Sequence, residues 1–260
     1  MAARARILAL TEDSGRQAQP TLQRILKEAL KLVVVGVDLN PARIRIEPLP
    51  ENDRALNAIH ANQWKAHPPT RDTVILLGAI AARLLEPSGF VVFHFDTDRV
   101  WSKRESSENR QKFETIIRSG VRRILQGEGA LPLTPRARPS LTTAQVEAAL
   151  SRLLILSPCY SVESWLYQAT NDLRALCHDR HDSEEHAQFI AEWTMDRTRL
   201  DEVHQPKAML KECVADHHNE ALAKSFPAED VWLVERSFHE SVERLRACTA
   251  LVEALSHPVT

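Results

Sequence analysis

The sequence predicts an α/β protein: a mainly parallel four-stranded sheet between helices, with a helical C-terminal lobe. Three observations lead there. Short apolar runs at residues 6–10, 90–95 and 153–156 are separated by segments of helical periodicity. The run at 90–95 is almost continuously apolar and β-branched, the pattern of a strand covered by helices on both faces. Beyond Ser161 every segment reads as helix. Strands and helices alternate up to about residue 157, which sets a three-layer core. Residues 1–160 are therefore expected to form the α/β core, and residues 161–260 a helical part that packs on it and completes the site.

Residues 6–10 form the first expected strand, ending abruptly in Thr11-Glu12-Asp13-Ser14-Gly15. Leu22, Ile25, Leu26, Ala29, Leu30 and Val33 then recur at helical spacing, with Pro20 tolerated in the first turn. Ile44 and Ile46 alternate with Arg45 and Glu47, so residues 43–49 read as a strand with one wet face or an edge position. Residues 73–85 form a helix that Glu86-Pro87-Ser88-Gly89 terminates. The strand at 90–95 leads straight into Asp96-Thr97-Asp98. An amphipathic helix at 113–125, a glycine- and proline-bearing loop at 127–140 and a last strand at 153–156 complete the core. Helices are then expected at about 161–177, 183–196, 207–224 and 232–256.

Composition removes several function classes. A net charge of -2 over 260 residues excludes a globally basic nucleic-acid binder, although a basic strip can hide in a balanced total. There are only 7 glycines, and neither G-x-G-x-x-G nor G-x-x-x-x-G-K-[ST] occurs, which argues against Rossmann and P-loop chemistry. Cys159, Cys177, Cys213 and Cys248 form no C-x-x-C pair, so reduced thiols in a cytoplasmic protein are expected and a disulfide scaffold is not. The apolar run after Arg6 stops at Glu12, too soon for a signal peptide, and no stretch has the roughly 18 apolar residues a membrane span needs.

Carboxylates at strand ends carry the chemistry. Ligands of parallel sheets bind outside the carboxyl ends of the strands, where Glu12, Asp96 and Asp98 fall. In an extended segment, residues two apart point the same way, so Asp96 and Asp98 are expected to share a hard divalent ion, Mg2+ or Mn2+. The plainer reading is that such acids are solvated turn residues. A haloacid-dehalogenase-type phosphatase needs its D-x-D on the first strand, and here it comes later. A metal-dependent nucleotidyl- or glycosyltransferase normally adds a glycine-containing nucleotide site, which is not found. An acid after the first strand and D-x-D after a later one is the order of the Toprim fold.

Leu8-Ala9-Leu10-Thr11-Glu12, Phe93-His94-Phe95-Asp96-Thr97-Asp98, Ser161-Val162-Glu163-Ser164-Trp165-Leu166 and Pro206-Lys207-Ala208-Met209-Leu210 stand in this order. Together they resemble the blocks of small Toprim-domain proteins related to OLD-family nucleases, over residues 6 to about 250. The resemblance implies a magnesium-dependent nuclease acting on DNA or RNA, associated with antiphage defence. It also implies Glu12, Asp96, Asp98 and Glu163 as metal ligands, Glu12 as acid/base, and Lys207 as a cation near the scissile phosphate. In the first block Asp13 stands where the family has glycine, and Arg16 where it has a second acid. These departures favour the alternative of a non-catalytic, degenerate Toprim module that binds nucleic acid or a partner ATPase. Read singly, Glu163 is a first-turn acid complementing a helix dipole and Lys207 a solvated surface residue.

Arg99, Lys103, Arg104, Arg118, Arg122 and Arg123, with Arg110 and Lys112 among them and Arg136 and Arg138 beyond, form a basic strip around Trp101. It is a candidate nucleic-acid surface; the alternative is a helix face salt-bridged to Glu105, Glu108 and Glu114. Cys177, His178, His181 and His186, and Cys213 with His217 and His218, form loose groups without the spacing of a structural zinc site. Cys159 has no paired histidine at a recognisable place and reads as a small buried residue.

Overall fold

The computed structural model describes residues 4–50, 53–128, 141–181 and 183–256. Four strands, β1 (Ala5–Thr11), β2 (Ile44–Glu47), β3 (Gly89–His94) and β4 (Leu153–Leu156), form one sheet in the order β2-β1-β3-β4. Every pairing is parallel, so the sheet is wholly rather than mainly so. The chain steps from β1 outward to β2 and then returns past β1 to β3. The connections therefore leave in opposite directions between β1 and β3, and a crevice opens there at the carboxyl ends of the strands.

Helix α1 (Ala18–Val33) connects β1 to β2; α2 (Arg54–His60) and α3 (Arg71–Leu85) lead from β2 to β3. Next come α4 (Glu108–Lys112), a π-helical turn (Phe113–Arg118) and α5 (Ser119–Leu125), which follow one another without a break, and α6 (Thr143–Leu150), which leads into β4. The apolar stripe of α1 is buried as its periodicity requires. Helices α2 and α6 are not evident from apolar spacing; Asp53 caps α2, and Thr142 with Gln145 closes a capping box on α6. The C-terminal part is α7 (Glu163–Leu166), α8 (Thr170–Arg180), α9 (Glu184–Met195), α10 (Pro206–Met209), α11 (Asn219–Lys224), α12 (Ala228–Leu233), α13 (Ser237–Ala247) and α14 (Thr249–Ser256). Of the four helices expected there, 183–196 is the single helix α9, while 161–177, 207–224 and 232–256 are each divided into shorter ones.

Strand alternation sends each sheet face to its own core. Ala5, Ile7, Ala9, Phe90, Val92, Leu154 and Leu156 pack with α1 and with C-terminal residues such as Trp165, Phe238 and Leu251. Leu8, Leu10, Val91 and Phe93 pack instead against α2, α3, α5 and α6 through Ala58, Leu76, Ile80, Val121 and Val146, with Trp64 of the 3-10 turn after α2 in the same core. The C-terminal helices therefore form one helical layer with α1 and share its core.

One sequence expectation is overturned outright: Cys177 and Cys213 are joined by a disulfide, while Cys159 and Cys248 are free and buried. The two bonded residues are 36 apart in the chain, and packing of α8 against the 210–214 segment brings them together. The 129–140 segment, with Arg136 and Arg138, lies outside the described residues. No helix among the described residues is long and apolar enough to cross a membrane.

Candidate active site

The crevice between β1 and β3 is where the acidic residues gather. The β1–β3 ladder runs one bond past the strands, from Glu12 N–H to the His94 carbonyl (3.2 Å). This places Glu12 so that its Oε1 accepts from the Asp96 backbone N–H, while Lys65 Nζ sits 3.0 Å from Oε2. Glu12 is nearly enclosed, with 8% of its side chain accessible. Burial raises its pKa, and Lys65 and the Asp96 N–H oppose the rise.

Asp96 faces the same crevice. Its Oδ1 accepts from the Val162 N–H at 3.1 Å, which ties the end of β3 to the entry of α7. Burial pushes its pKa well above the ordinary carboxylate value, and the charges of Asp13, Glu12 and Glu163 push it further. Asp13, one residue beyond Glu12, is raised to about 6 by burial and by Glu163, with Lys207 acting the other way. Its side chain keeps 38% of its surface accessible, so water screens it more than the others. Glu163, the first residue of α7, is buried, and its Oε1 lies 3.4 Å from Asn219 Nδ2.

His94 lies among these carboxylates. Its Nδ1 is 3.0 Å from Thr11 Oγ1 and 4.0 Å from Asp13 Oδ2, and its Nε2 is 3.9 Å from Asp96 Oδ1. Burial lowers its pKa to about 4, with Glu12 and Glu163 opposing, so the ring is neutral at pH 7. Its buried Nε2 has no hydrogen-bond partner among the described residues. Above the carboxylates is an open cleft of about 730 Å³, lined among others by Asp13, Arg16, Thr21, Glu163, Lys207 and Asp216.

Glu12, Asp96 and Glu163 are brought to one place, with Lys207 at its rim; Asp98 departs. The strand stops at His94, Thr97 turns inward to the Pro158 carbonyl, and Asp98 adopts a left-handed φ of 52°. The extended geometry that would aim Asp96 and Asp98 alike is absent, and Asp98 Oδ2 accepts instead from Asn109 Nδ2 at 2.8 Å on an exposed edge. Lys207, on the short α10, is an exposed residue paired with Asp216 at 2.5 Å, a bond that raises its pKa. Asp13, His94 and Lys65 are the members that sequence reasoning passed over. His94 was legible in principle, as the one polar residue in an otherwise apolar buried strand.

The basic strip does not form one surface. Arg118 donates to the Leu150 and Leu153 carbonyls at the start of β4, at the opposite end of the sheet from the carboxylates. Arg122 is bound to Glu147 of α6, and Arg123 lies 3.5 Å from Glu128. Arg104 stacks on Trp101 at 3.7 Å, with Arg236 also over that ring at 5.5 Å, so the indole is not an open platform for a base. Arg99 and Lys103 remain on the crevice side, near Asp98 and on the exposed 3-10 turn after it. The residues scatter because the 101–125 segment winds through 3-10, α and π turns and travels the length of the sheet.

Glu12, Asp13, His94, Asp96 and Glu163 draw near without closing into a ligand set: no three of them bring ligand atoms within 4.8 Å of one another, as two groups elsewhere among the described residues do. Several carboxylates hold one another in unfavourable charge states, Lys65 is committed to Glu12 and Lys207 to Asp216, and the donors are hard oxygens suited to Mg2+ or Mn2+. Cys159 is buried and burial drives its thiol pKa upward, which removes it as a nucleophile. Compared with known proteins, the chain matches no family model, no curated protein and no solved structure.

Proposed function

We propose that this chain is a divalent-metal-dependent phosphodiesterase of Toprim type, a nuclease of the kind its sequence blocks resemble, working in the cytoplasm. The observation that carries the reading is the meeting of Glu12, Asp13, Asp96 and Glu163 at the β1–β3 crevice, where burial raises the proton affinity of Glu12, Asp13 and Asp96 and neighbouring carboxylates add to the rise at Asp13 and Asp96. Asp13, Asp96 and Glu163 are the residues to hold Mg2+ or Mn2+. The ion supplies charge neutralisation at a phosphate and activation of a water. Glu12, with a raised pKa and one oxygen fixed by the Asp96 N–H, is placed to accept or return a proton. Lys207 and Arg16 on the cleft wall offer positive charge to a phosphate backbone.

The test is cleavage of labelled DNA and RNA with Mg2+ or Mn2+ by wild type and by Asp96→Asn. The variant is expected to lose at least about 100-fold in rate, the scale on which removing one charge-stabilising group acts. Full activity in the variant, or cleavage that persists in chelator, overturns the proposal.

A second reading, a module that binds nucleic acid or a partner ATPase without catalysis, draws on two observations: Lys65 already neutralises Glu12, and Asp98 is turned to Asn109. It predicts no heat of Mg2+ binding in calorimetry, together with retained binding of nucleic acid or ATPase.

A further inference from the structure

Within the helical layer, a second set of ligand-type side chains meets. Cys177 is in the last turn of α8, and His181 follows four residues later, its backbone N–H bonded to the Cys177 carbonyl at 2.8 Å. His186 is in the first turn of α9, and Cys213 lies in the segment after α10. Cys177, His186 and Cys213 are all buried, and their ligand atoms lie within 4.8 Å of one another; His181, His186 and Glu212 form an overlapping group with the same spread.

His186 is the informative member. Its Nε2 is 3.2 Å from a Glu212 carboxylate oxygen, and its Nδ1 is 3.8 Å from Cys213 Sγ. A carboxylate accepts, so it places the ring proton on Nε2 and leaves the Nδ1 lone pair directed at the sulfur. A disulfide has no proton and no charge to offer that lone pair. A buried imidazole held by a carboxylate on one nitrogen, with thiol sulfurs at the other, is the arrangement of a zinc ligand with its orienting carboxylate. Tetrahedral zinc with Zn–S of about 2.3 Å and Zn–N of about 2.0 Å has ligand-to-ligand edges of about 3.3–3.8 Å, which the Nδ1–Sγ separation meets.

We propose that, with Cys177 and Cys213 reduced, these two thiolates, His186 Nδ1 and a ring nitrogen of His181 bind one zinc ion, and that Glu212 is the positioning residue for His186. Zinc and the disulfide are mutually exclusive. A dithiol reductant delivers two electrons and two protons to the Cys177–Cys213 bond and leaves as its own disulfide; the two thiols then release their protons to solvent as zinc binds. The site ties the end of α8, the start of α9 and the 210–214 segment together in either state. It shares no residue with the acidic crevice and is independent of the reading given for it.

The test uses the full chain reduced with a phosphine, which is not itself a thiol, then titrated with zinc against a competing chelator and analysed for metal content. One zinc per chain is expected for reduced protein. None is expected for protein in which thiol titration under denaturing conditions finds two free thiols rather than four. Glu212→Gln, at an exposed position, is expected to weaken zinc by about 10–100-fold while leaving the fold intact. His186→Ala is expected to abolish stoichiometric binding. Cobalt(II) added to reduced wild type serves as a check that needs no variant, with tetrahedral bands and thiolate-to-cobalt charge transfer expected. Reduced protein that takes up no zinc, zinc retained equally by the oxidised protein, or an octahedral cobalt spectrum without charge transfer each overturns the site.

Discussion

Asp13→Asn, in protein freed of divalent ions, is expected to stabilise the fold. Asp13 sits among Glu163, Asp96 and Asp216, and its charge is the largest of the neighbouring charges that disfavour ionisation of Asp96. Its pKa moves from 3.8 to about 6. At 1.36 kcal/mol per tenfold change in proton affinity this is about 3 kcal/mol. With 38% of the side chain accessible, solvent screening reduces the figure to about 1.5 kcal/mol. The folded form binds the proton more tightly than the unfolded one, so wild-type stability falls as pH rises from about 4 to about 6 and stays lower above that window. Asparagine cannot ionise and removes the fall. For a chain of this size the gain corresponds to a rise in Tm of about 3–6 °C at pH 7.5. Thermal unfolding in chelator at pH 7.5 and pH 4 measures it, and the difference between the proteins should shrink to a few tenths of a kcal/mol, or about 1 °C, at pH 4. Adding Mg2+ should reverse the order, since a bound ion stabilises wild type by mass action and finds fewer ligands in the variant. A lower Tm for the variant in chelator, or a gap that does not change with pH, would refute the electrostatic account of the crevice.

Two further outcomes test the surroundings of the site. Lys65→Met strips the buried Glu12 of its cation and should cost about 3 kcal/mol in urea unfolding, most of it recovered in the Glu12→Gln/Lys65→Met double variant; additive losses would show that the pair is not coupled. In the helical layer, Asp201 is buried and accepts from both Ser237 N–H (2.9 Å) and Oγ, and burial raises its pKa to about 6. Its folded-state pKa is raised, so stability should decline by about 3 kcal/mol as pH rises from about 4 through 6, and Asp201→Asn should flatten that decline in urea titrations at pH 4.5 and 7.5.

Local pattern carried much of the fold. The apolar strand at 90–95 reads as buried on both faces and is the central β3, and the alternating 43–49 segment reads as an edge and is the edge strand β2. The stripe of α1 is legible because burying one helix face imposes a period that any tertiary setting must respect. Helix ends in the C-terminal part were less legible. Breaks at Tyr167–Ala169 and at Cys248 come from how short helices seat on α1 and the sheet, which apolar spacing does not record.

The sequence by itself determined that Glu12 and Asp96 stand at the carboxyl ends of parallel strands, because strand period and the alternation of strands with helices are written in neighbouring residues. Only the tertiary structure decided which side chains join them. It added Asp13, His94 and Lys65, turned Asp98 away through a left-handed backbone, and sent Arg118 to the far end of the sheet. It also brought Cys177 and Cys213 together across 36 residues, beside His186. The physical reason is common to all of these: which side chains meet depends on crossover connections and on single backbone angles at loop positions, and neither leaves a periodic trace in the chain.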